Sequence, residues 1–311
     1  MPDRVVEMNK LAPLALFVYK RPDHTVQVLE ALQACPEFRQ TDLYIFSDGP
    51  KTSLDRPQVE AVRSFVKSFS HPRLTLVEAP KNRGLAESII HGVSTLCESH
   101  GKVIVLEDDL IVSPIFLTYM NAALDRYASE AKVWHVSAFI FGDRSVNRHK
   151  RAFFLSYTHP WGWATWKRAW QNYNRNALES DKVLSTSIRR RAFNLGGVED
   201  YTGMLQQQRQ GRIDSWWIAW YFSVFHSGSL GLFPPQTLVR SIGMDATATH
   251  GWITSRVLYP QEPSLLRELP SFPTEIAVDP TSYNEFRRAM RPLLRRLLRL
   301  AGRLKRSLIG S

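Results

Sequence analysis

Three adjacent carboxylates, Glu107, Asp108 and Asp109, directly follow the apolar run 103–106. Carboxylates crowded at the end of a buried strand repel one another and raise one another's pKa. A divalent cation removes that repulsion, and ligands that are all oxygen select Mg²⁺ or Mn²⁺ over zinc. Such cations keep coordination positions for phosphates, so the triplet predicts a site for Mn²⁺ or Mg²⁺ and a nucleoside diphosphate. The alternative is a solvated acidic turn that caps the helix expected after Ser113.

A second candidate is Asp214, which lies in the apolar and aromatic run 213–220. Apolar surroundings would raise the pKa of this carboxylate toward that of a useful general base. The alternative is an N-cap for the apolar helix that begins there. The two roles do not exclude each other.

Short apolar runs alternate with stretches of helical spacing from residue 14 onward, which predicts an α/β fold with a mostly parallel sheet flanked by helices. The expected strands are 14–19, 43–46, 74–77 and 103–106, and the helices begin at Asp23, at Asp55 to Pro57, at about 85 and after Ser113. Ligands of such sheets bind beyond the carboxyl ends of the strands. We therefore expect Arg21, Asp48, the segment 82–84 and the acidic triplet to converge on one edge. The glycine signatures of dinucleotide-binding and P-loop proteins are absent from the sequence.

The composition is that of a globular protein, with 311 residues, 44% hydrophobic and 22% charged. The two cysteines give no disulfide framework and no zinc-ligand spacing. The N-terminal residues do not have the pattern of a signal peptide, and no apolar run reaches the roughly 20 residues that span a bilayer. We expect a cytoplasmic protein, soluble or peripheral on the inner face of the cytoplasmic membrane.

The net charge of +11 is concentrated at one end of the chain, since nine basic residues and no acid occur from Arg287 onward. The rest of the chain carries 31 basic and 29 acidic groups, so a nucleic-acid groove is not expected. In 291–308, leucines recur at helical spacing opposite arginines, a pattern that suits an anionic membrane surface. The alternatives are a helix that docks on the fold or on a partner, and a disordered basic tail.

Two breaks in composition suggest the domain organisation. All nine tryptophans lie between Trp134 and Trp252, and prolines cluster after 259. We predict a first half of the fold over 1–133 and an aromatic-rich second half over 134–258. A Pro-rich linker over 259–283 then leads to a basic amphipathic helix over 284–311.

The order of the motifs, more than any one of them, resembles a known family. The motifs are 17–22, 46–49, 81–86 and 105–109, followed by 162–163, 213–216, 242–245 and 249–251. Together they resemble nucleotide-sugar-dependent glycosyltransferases of the GT-A fold over residues 12–252. Within that fold they look like bacterial relatives of the animal N-acetylglucosaminyltransferase that initiates complex N-glycans.

The resemblance implies that the donor is bound by Arg21, Asp48, Arg83, Glu107, Asp108 and His250. Arg21 would lie against the base, and Asp48 would accept hydrogen bonds from the base or ribose. Asp109 would bind the metal directly, and Asp108 would hold the ribose or a metal-bound water. His250 would close over the donor pyrophosphate and bind the metal together with Asp109. The half over 1–133 would bind the nucleotide sugar, and the half over 134–258 would bind the acceptor and carry out catalysis.

The resemblance also matches Asp214 to the catalytic base, although the animal relative has two adjacent acids where this chain has Asp214 and Ser215. Trp161 and Trp163, on either side of Gly162, are expected to stack on acceptor sugars, whereas Trp166 and Trp170 are expected in the core.

The expected function is a metal-dependent, inverting glycosyltransferase, with a UDP-sugar as the favoured donor and a glycan or lipid-linked glycan of surface polysaccharide assembly as acceptor. One alternative is a sugar-nucleotide-forming nucleotidyltransferase, which would need a Gly-rich phosphate loop where this chain has 20–23. Another is a non-catalytic carbohydrate- or membrane-binding module.

Overall fold

An eight-stranded sheet forms the centre of the computed structural model, which describes residues 10–141, 151–243 and 265–290. In chain order the strands are β1 (Leu14–Val18), β2 (Leu43–Ser47), β3 (Leu74–Glu78), β4 (Lys102–Glu107), β5 (Leu110–Val112), β6 (Val133–Ser137), β7 (Phe153–Leu155), β8 (Trp163–Trp166), β9 (Leu230–Phe233) and β10 (Val239–Ser241). The sheet order is β3-β2-β1-β4-β8-β6-β9-β7, and β5 and β10 form a separate antiparallel pair.

The helices are α1 (Pro22–Gln33), α2 (Arg56–Ser68), α3 (Leu85–His100), α4 (Phe116–Arg126), α5 (Lys167–Trp170), α6 (Ser180–Val183), α7 (Ser187–Phe193), α8 (Tyr201–Arg209), α9 (Trp216–His226) and α10 (Pro280–Ala289). None of the helices in the described ranges is long and apolar enough to cross a membrane.

The first four predicted strands are β1 to β4, and all of their mutual pairings are parallel. Leu14, Leu16, Leu43, Ile45 and Ile104 have no exposed surface, which is why these strands appear in the sequence as continuous apolar runs. The register places Ser47 beside both Val18 and Glu78, so the carboxyl ends lie at one edge. The structure confirms the predicted α/β class with its mostly parallel sheet.

Two details of the predicted elements are wrong. The residue before α1 is Arg21, and Asp23 lies within the first turn instead of capping the helix. The helix expected directly after Ser113 begins at Phe116, because residues 110–112 form β5 and pair with β10.

In the second half of the chain, aromatic side chains provide a large part of the core. Strand β8 lies antiparallel between β4 and β6 and therefore continues the parallel sheet into this half. Helix α9 is buried from Trp216 to Phe225 except for the partly exposed Trp217. Trp166 and Trp170 are 4% and 5% exposed, as expected for core residues.

The segment 265–279 has no regular helix or strand and lies along the body, where Leu266, Phe272, Ile276 and Val278 pack against the core. Asp279 caps α10, which therefore begins at Pro280 rather than at 284. Phe286 of this helix has no exposed surface. The helix predicted over 291–308 lies outside the described residues, and the four-part division of the chain stays a prediction.

Candidate active site

The ends of β1 and β4 are joined directly at the carboxyl edge of the sheet. The backbone N–H of Tyr19 donates to Oδ2 of Asp108 at 3.1 Å. Nη1 of Arg21 lies 3.3 Å from Oδ2 of Asp109, and both side chains are three-quarters or more buried. The structure thus brings together Arg21 and the acidic triplet, as the sequence predicts.

Among the described residues, the charge of Arg21 only partly offsets the burial and mutual repulsion of the acidic triplet. Burial, followed by the charges of Asp109 and Asp108, raises the pKa of Glu107 to about 8. Burial and the charge of Asp109 raise the pKa of Asp108 to about 7. Burial also raises the pKa of Asp109, although the Arg21 guanidinium opposes this shift. Ionised carboxylates are therefore unfavourable here without an added cation.

The alternative of a solvated acidic turn is wrong, since Asp108 is only 9% exposed and α4 begins seven residues after Asp109. Within the described ranges, no group of three or more His, Cys, Asp or Glu side chains is placed to hold a metal ion. Mg²⁺ is ordinarily held by one or two carboxylates together with substrate phosphates and water. Asp108 and Asp109 fit that kind of donor set.

The segment that follows β10 lies directly on Asp109. The backbone N–H of Ile242 donates to the Asp109 carbonyl oxygen at 2.8 Å. A Cβ atom at Gly243 would overlap the Asp109 carboxylate, so only glycine allows this approach. His250, predicted to close over a donor, lies outside the described residues.

Asp48 anchors a loop. Its Oδ1 accepts hydrogen bonds from the backbone N–H groups of Gly49 and Arg83, both at 2.8 Å. Its Oδ2 accepts from Asn82 Nδ2 and the backbone N–H of Gly84, both at 2.9 Å. A carboxylate offers about four acceptor positions, and these donors fill them. The expected contact between Asp48 and a base or ribose is therefore not what this geometry provides, while the Arg83 side chain remains exposed.

Two further residues, which the sequence reasoning missed, hold the same loops. Gly49 approaches the backbone of Lys81 so closely that an added Cβ would lie 2.5 Å from its carbonyl carbon. Arg63, 7% exposed, donates to Ser47 Oγ at 3.1 Å and to the carbonyl oxygen of Ala79 at 2.8 Å. A basic residue beside Val62 on the apolar face of α2 was the available signal.

Asp214 has a different environment from the one expected. Its side chain is 55% exposed, and its Oδ1 lies 3.2 Å from Nη2 of Arg175. Ser215, one residue later, caps α9 by accepting from the N–H of Ile218. Both the apolar setting and the N-cap alternative for Asp214 are therefore wrong.

Arg175 links Asp214 to the edge of the sheet. Its Nη1 also donates to Glu87, which lies in the first turn of α3, three residues after Gly84. Because Asp48 holds Gly84, these contacts place Asp214 at the N-terminal end of α3, beside the anchored loop. The sequence reasoning missed both Glu87 and Arg175.

Trp163 is a core residue. It has no exposed surface and stacks on Trp216 with the ring centres 4.9 Å apart. The expected contact between Trp163 and an acceptor sugar is therefore wrong. Trp161 is half-buried against Phe139 and His159 and keeps some accessible surface.

Comparisons with known proteins gave matches among solved structures only, since no family model and no curated protein matches the chain. The chain is similar to the mannosyltransferase PcManGT from Pyrobaculum calidifontis in complex with GDP-Man and Mn²⁺, at 13% identity and a TM-score of 0.35 over 80% of this chain and 81% of that one. It is similar to the galactosyltransferase LgtC in complex with donor and acceptor sugar analogs, at 10% identity and a TM-score of 0.35 over 70% and 72%. Glucosyl-3-phosphoglycerate synthase from Mycobacterium tuberculosis, in complex with Mn²⁺, UDP and glucosyl-3-phosphoglycerate, is similar at 12% identity and a TM-score of 0.30, over 50% of this chain and 57% of that chain.

Proposed function

We propose that the protein is a metal-dependent, inverting glycosyltransferase that moves a sugar from a nucleotide-sugar donor, with UDP favoured, to a glycan or lipid-linked glycan. The observation that carries the proposal is the acidic triplet beside Arg21 at the carboxyl edge of the sheet, in which Asp108 is buried and Glu107 and Asp109 are partly buried. The raised pKa values of Glu107 and Asp108 indicate a place where added positive charge is favourable. A divalent cation together with a diphosphate meets that requirement.

On the donor side, Asp109 and Asp108 would hold the cation, and Arg21 would leave Asp109 to face the nucleotide. When bound, a divalent cation supplies positive charge to the departing diphosphate. Asp48 keeps the 82–84 segment in place beside this site through its four hydrogen bonds.

On the acceptor side, Asp214 is the proposed general base, which takes the proton from the attacking hydroxyl. Inverting transfer needs one such carboxylate, and the exposed Asp214 side chain is open to an incoming hydroxyl. Arg175 fixes its position from the side. Trp161 would provide an aromatic face for an acceptor sugar.

The donor site is tested by thermal-shift measurements with UDP, GDP and CDP, each with and without Mn²⁺. We expect one diphosphate to stabilise the protein only when Mn²⁺ is present, and Asp109→Asn to remove that effect. The matched control is Asp125→Asn, whose carboxylate pairs with Lys102 at the opposite end of β4. A response to nucleoside triphosphates alone would instead favour nucleotidyl transfer, and no response to any nucleotide would favour a binding module.

The base is tested by Asp214→Asn. We expect turnover to fall by roughly 10²–10⁴-fold, the usual contribution of general base catalysis, with unchanged donor binding and melting temperature. The matched control is Glu98→Gln, because Glu98 is also in an exposed ion pair, with Lys167, near the other end of α3. Parental turnover in Asp214→Asn would show that another group is the base.

We further propose that the segment 291–308 binds the anionic inner face of the cytoplasmic membrane and so brings the enzyme to a lipid-linked acceptor of surface polysaccharide assembly. The support is the sequence alone, since this segment holds seven basic residues and no acid. Attraction to anionic lipid contributes about 1 kcal/mol per basic residue near the surface.

A further inference from the structure

A cavity of about 170 Å³ lies among α6, α7 and α8. It is lined by Ser180, Asp181, Leu184, Ser185, Arg190, Thr202, Leu205 and Gln206. Engineered cavities of about 150 Å³ hold a six-membered ring such as benzene. This cavity is therefore large enough for one ring of that size.

The polar groups of the cavity are fixed in place but not fully used by the protein. Ser180 is 4% exposed, and its Oγ has no hydrogen-bond partner in the described part of the chain. Nη1 of Arg190 is held by the carbonyl oxygens of Leu184 and Ser185, at 2.8 and 2.6 Å. Asp181 uses Oδ1 to bind Arg209 at 2.5 Å. Gln206 and Thr202 add polar side chains on the α8 side of the cavity, and the Gln206 side chain is exposed and open to a ligand.

The cavity also has apolar walls, because Leu184 and Leu205 are 5% and 1% exposed. The ligand must therefore present an apolar face together with several hydroxyl groups that both donate and accept. A pyranose ring has this character.

Helix α8 connects this cavity to the proposed base. Thr202 and Gln206 line the cavity, and Oε1 of Gln208 accepts from the backbone N–H of Ser215 at 2.7 Å. Ser215 directly follows Asp214. From Thr202 to Gln208 the helix rises by about 9 Å, a length that a short oligosaccharide spans.

From this geometry we infer that the cavity is an accessory site for one sugar unit of the acceptor glycan, held a short distance from the unit that is modified. The inference rests on the proposed function. It adds to that function a binding site that engages the acceptor away from the reacting hydroxyl and favours oligosaccharides over single sugars.

The test is direct binding of chitotriose and mannotriose, measured by calorimetry on the full chain without nucleotide or metal. Gln206→Ala should weaken binding of the trisaccharide that binds by about 3- to 10-fold, the worth of a lost hydrogen bond. Ser185→Trp, which fills the cavity from an exposed position, should abolish the binding. Gln207→Ala is the matched control, since Gln207 is exposed on the same helix but does not line the cavity.

Equal trisaccharide binding by the parent, Gln206→Ala and Ser185→Trp would overturn the inference. So would a parent protein that binds inorganic phosphate in the cavity but neither trisaccharide. Because the measurement needs no donor or turnover, binding that Ser185→Trp abolishes supports the cavity site even if the screen with nucleotides refutes glycosyl transfer.

Discussion

Replacing Asp48 with alanine should release the 82–84 segment from the edge of the site. The substitution removes the acceptor of four hydrogen bonds, three of which come from backbone N–H groups, those of Gly49, Arg83 and Gly84. A hydrogen bond to a charged group contributes about 1.5–3 kcal/mol. Some of these donors turn to water once the loop opens. We therefore expect the free energy of local opening to fall by about 3 kcal/mol, or about a hundredfold in the opening equilibrium.

Amide hydrogen exchange on the protein without ligands measures this opening directly. The amides of Arg83 and Gly84 should exchange about a hundredfold faster in Asp48→Ala, and the change should be smaller in Asp48→Asn, which keeps one acceptor oxygen. Asp42→Ala is the matched control, because Asp42 forms its ion pair with Arg73 at the opposite end of β2. Unchanged exchange at Arg83 and Gly84 would refute the anchoring role. If affinity for one nucleobase then fell selectively, Asp48 would instead contact the base.

Three further outcomes are expected. The raised pKa of Asp108 means that the folded protein binds a proton between pH 5 and 7 that the unfolded chain has released. Without added metal, the free energy of unfolding should therefore decrease as the pH rises from 5 toward 7. Asp108→Asn should lessen this decrease, which denaturant titrations at several pH values will show. Trp163→Ala should destabilise the fold by about 3–5 kcal/mol. Trp161→Ala should lower acceptor affinity with little change in melting temperature. An equal loss of stability in both variants would contradict the assignment of Trp163 to the core and Trp161 to the acceptor site. Removing residues 291–311 should leave activity on a soluble acceptor intact and abolish co-sedimentation with anionic vesicles at low salt. Loss of activity on the soluble acceptor would show that the segment is part of the folded body.

The parallel half of the fold could be predicted because its strands are buried on both faces and appear as continuous apolar runs. The same logic placed polar residues at their carboxyl ends, where Arg21 and Asp109 do meet. Strand β5 could not be predicted from local pattern. It has three residues, and its partner β10 begins 127 positions after β5 ends.

The roles of individual site residues depend on their hydrogen-bond partners and their burial, which the spacing of residues in the sequence does not show. Asp48 is engaged by donors from its neighbour Gly49 and from a loop 34 to 36 residues away, so the sequence could not show that its oxygens are already occupied. Trp161 is half-buried, whereas Trp163 is fully buried. Between them Gly162 has a φ of +64°, a left-handed backbone turn, so Trp161 lies outside the strand in which Trp163 is buried.

The interpretation of Asp214 depends on which of two neighbouring residues caps α9. From the sequence, only Asp214 is considered as the N-cap of α9, although serine is an equally favoured cap residue. The structure assigns the cap to Ser215, and the Asp214 carboxylate therefore extends away from the helix end toward Arg175. The exposed Asp214 carboxylate can therefore be reached by an acceptor hydroxyl, which the proposed base requires.

Helix α3 joins the two sides of the proposed reaction. Gly84, the residue directly before the helix, is held by Asp48 on the donor side. Glu87 in the first turn holds Arg175, which in turn holds Asp214 on the acceptor side. A displacement of the first turn of α3 would therefore alter both donor binding and the placement of the base. Since the ion pairs of Arg175 are largely exposed and contribute little stability, they fix the direction of Asp214 without a large energetic role in the fold. This is the behaviour expected of a residue that positions a base rather than one that supports the core.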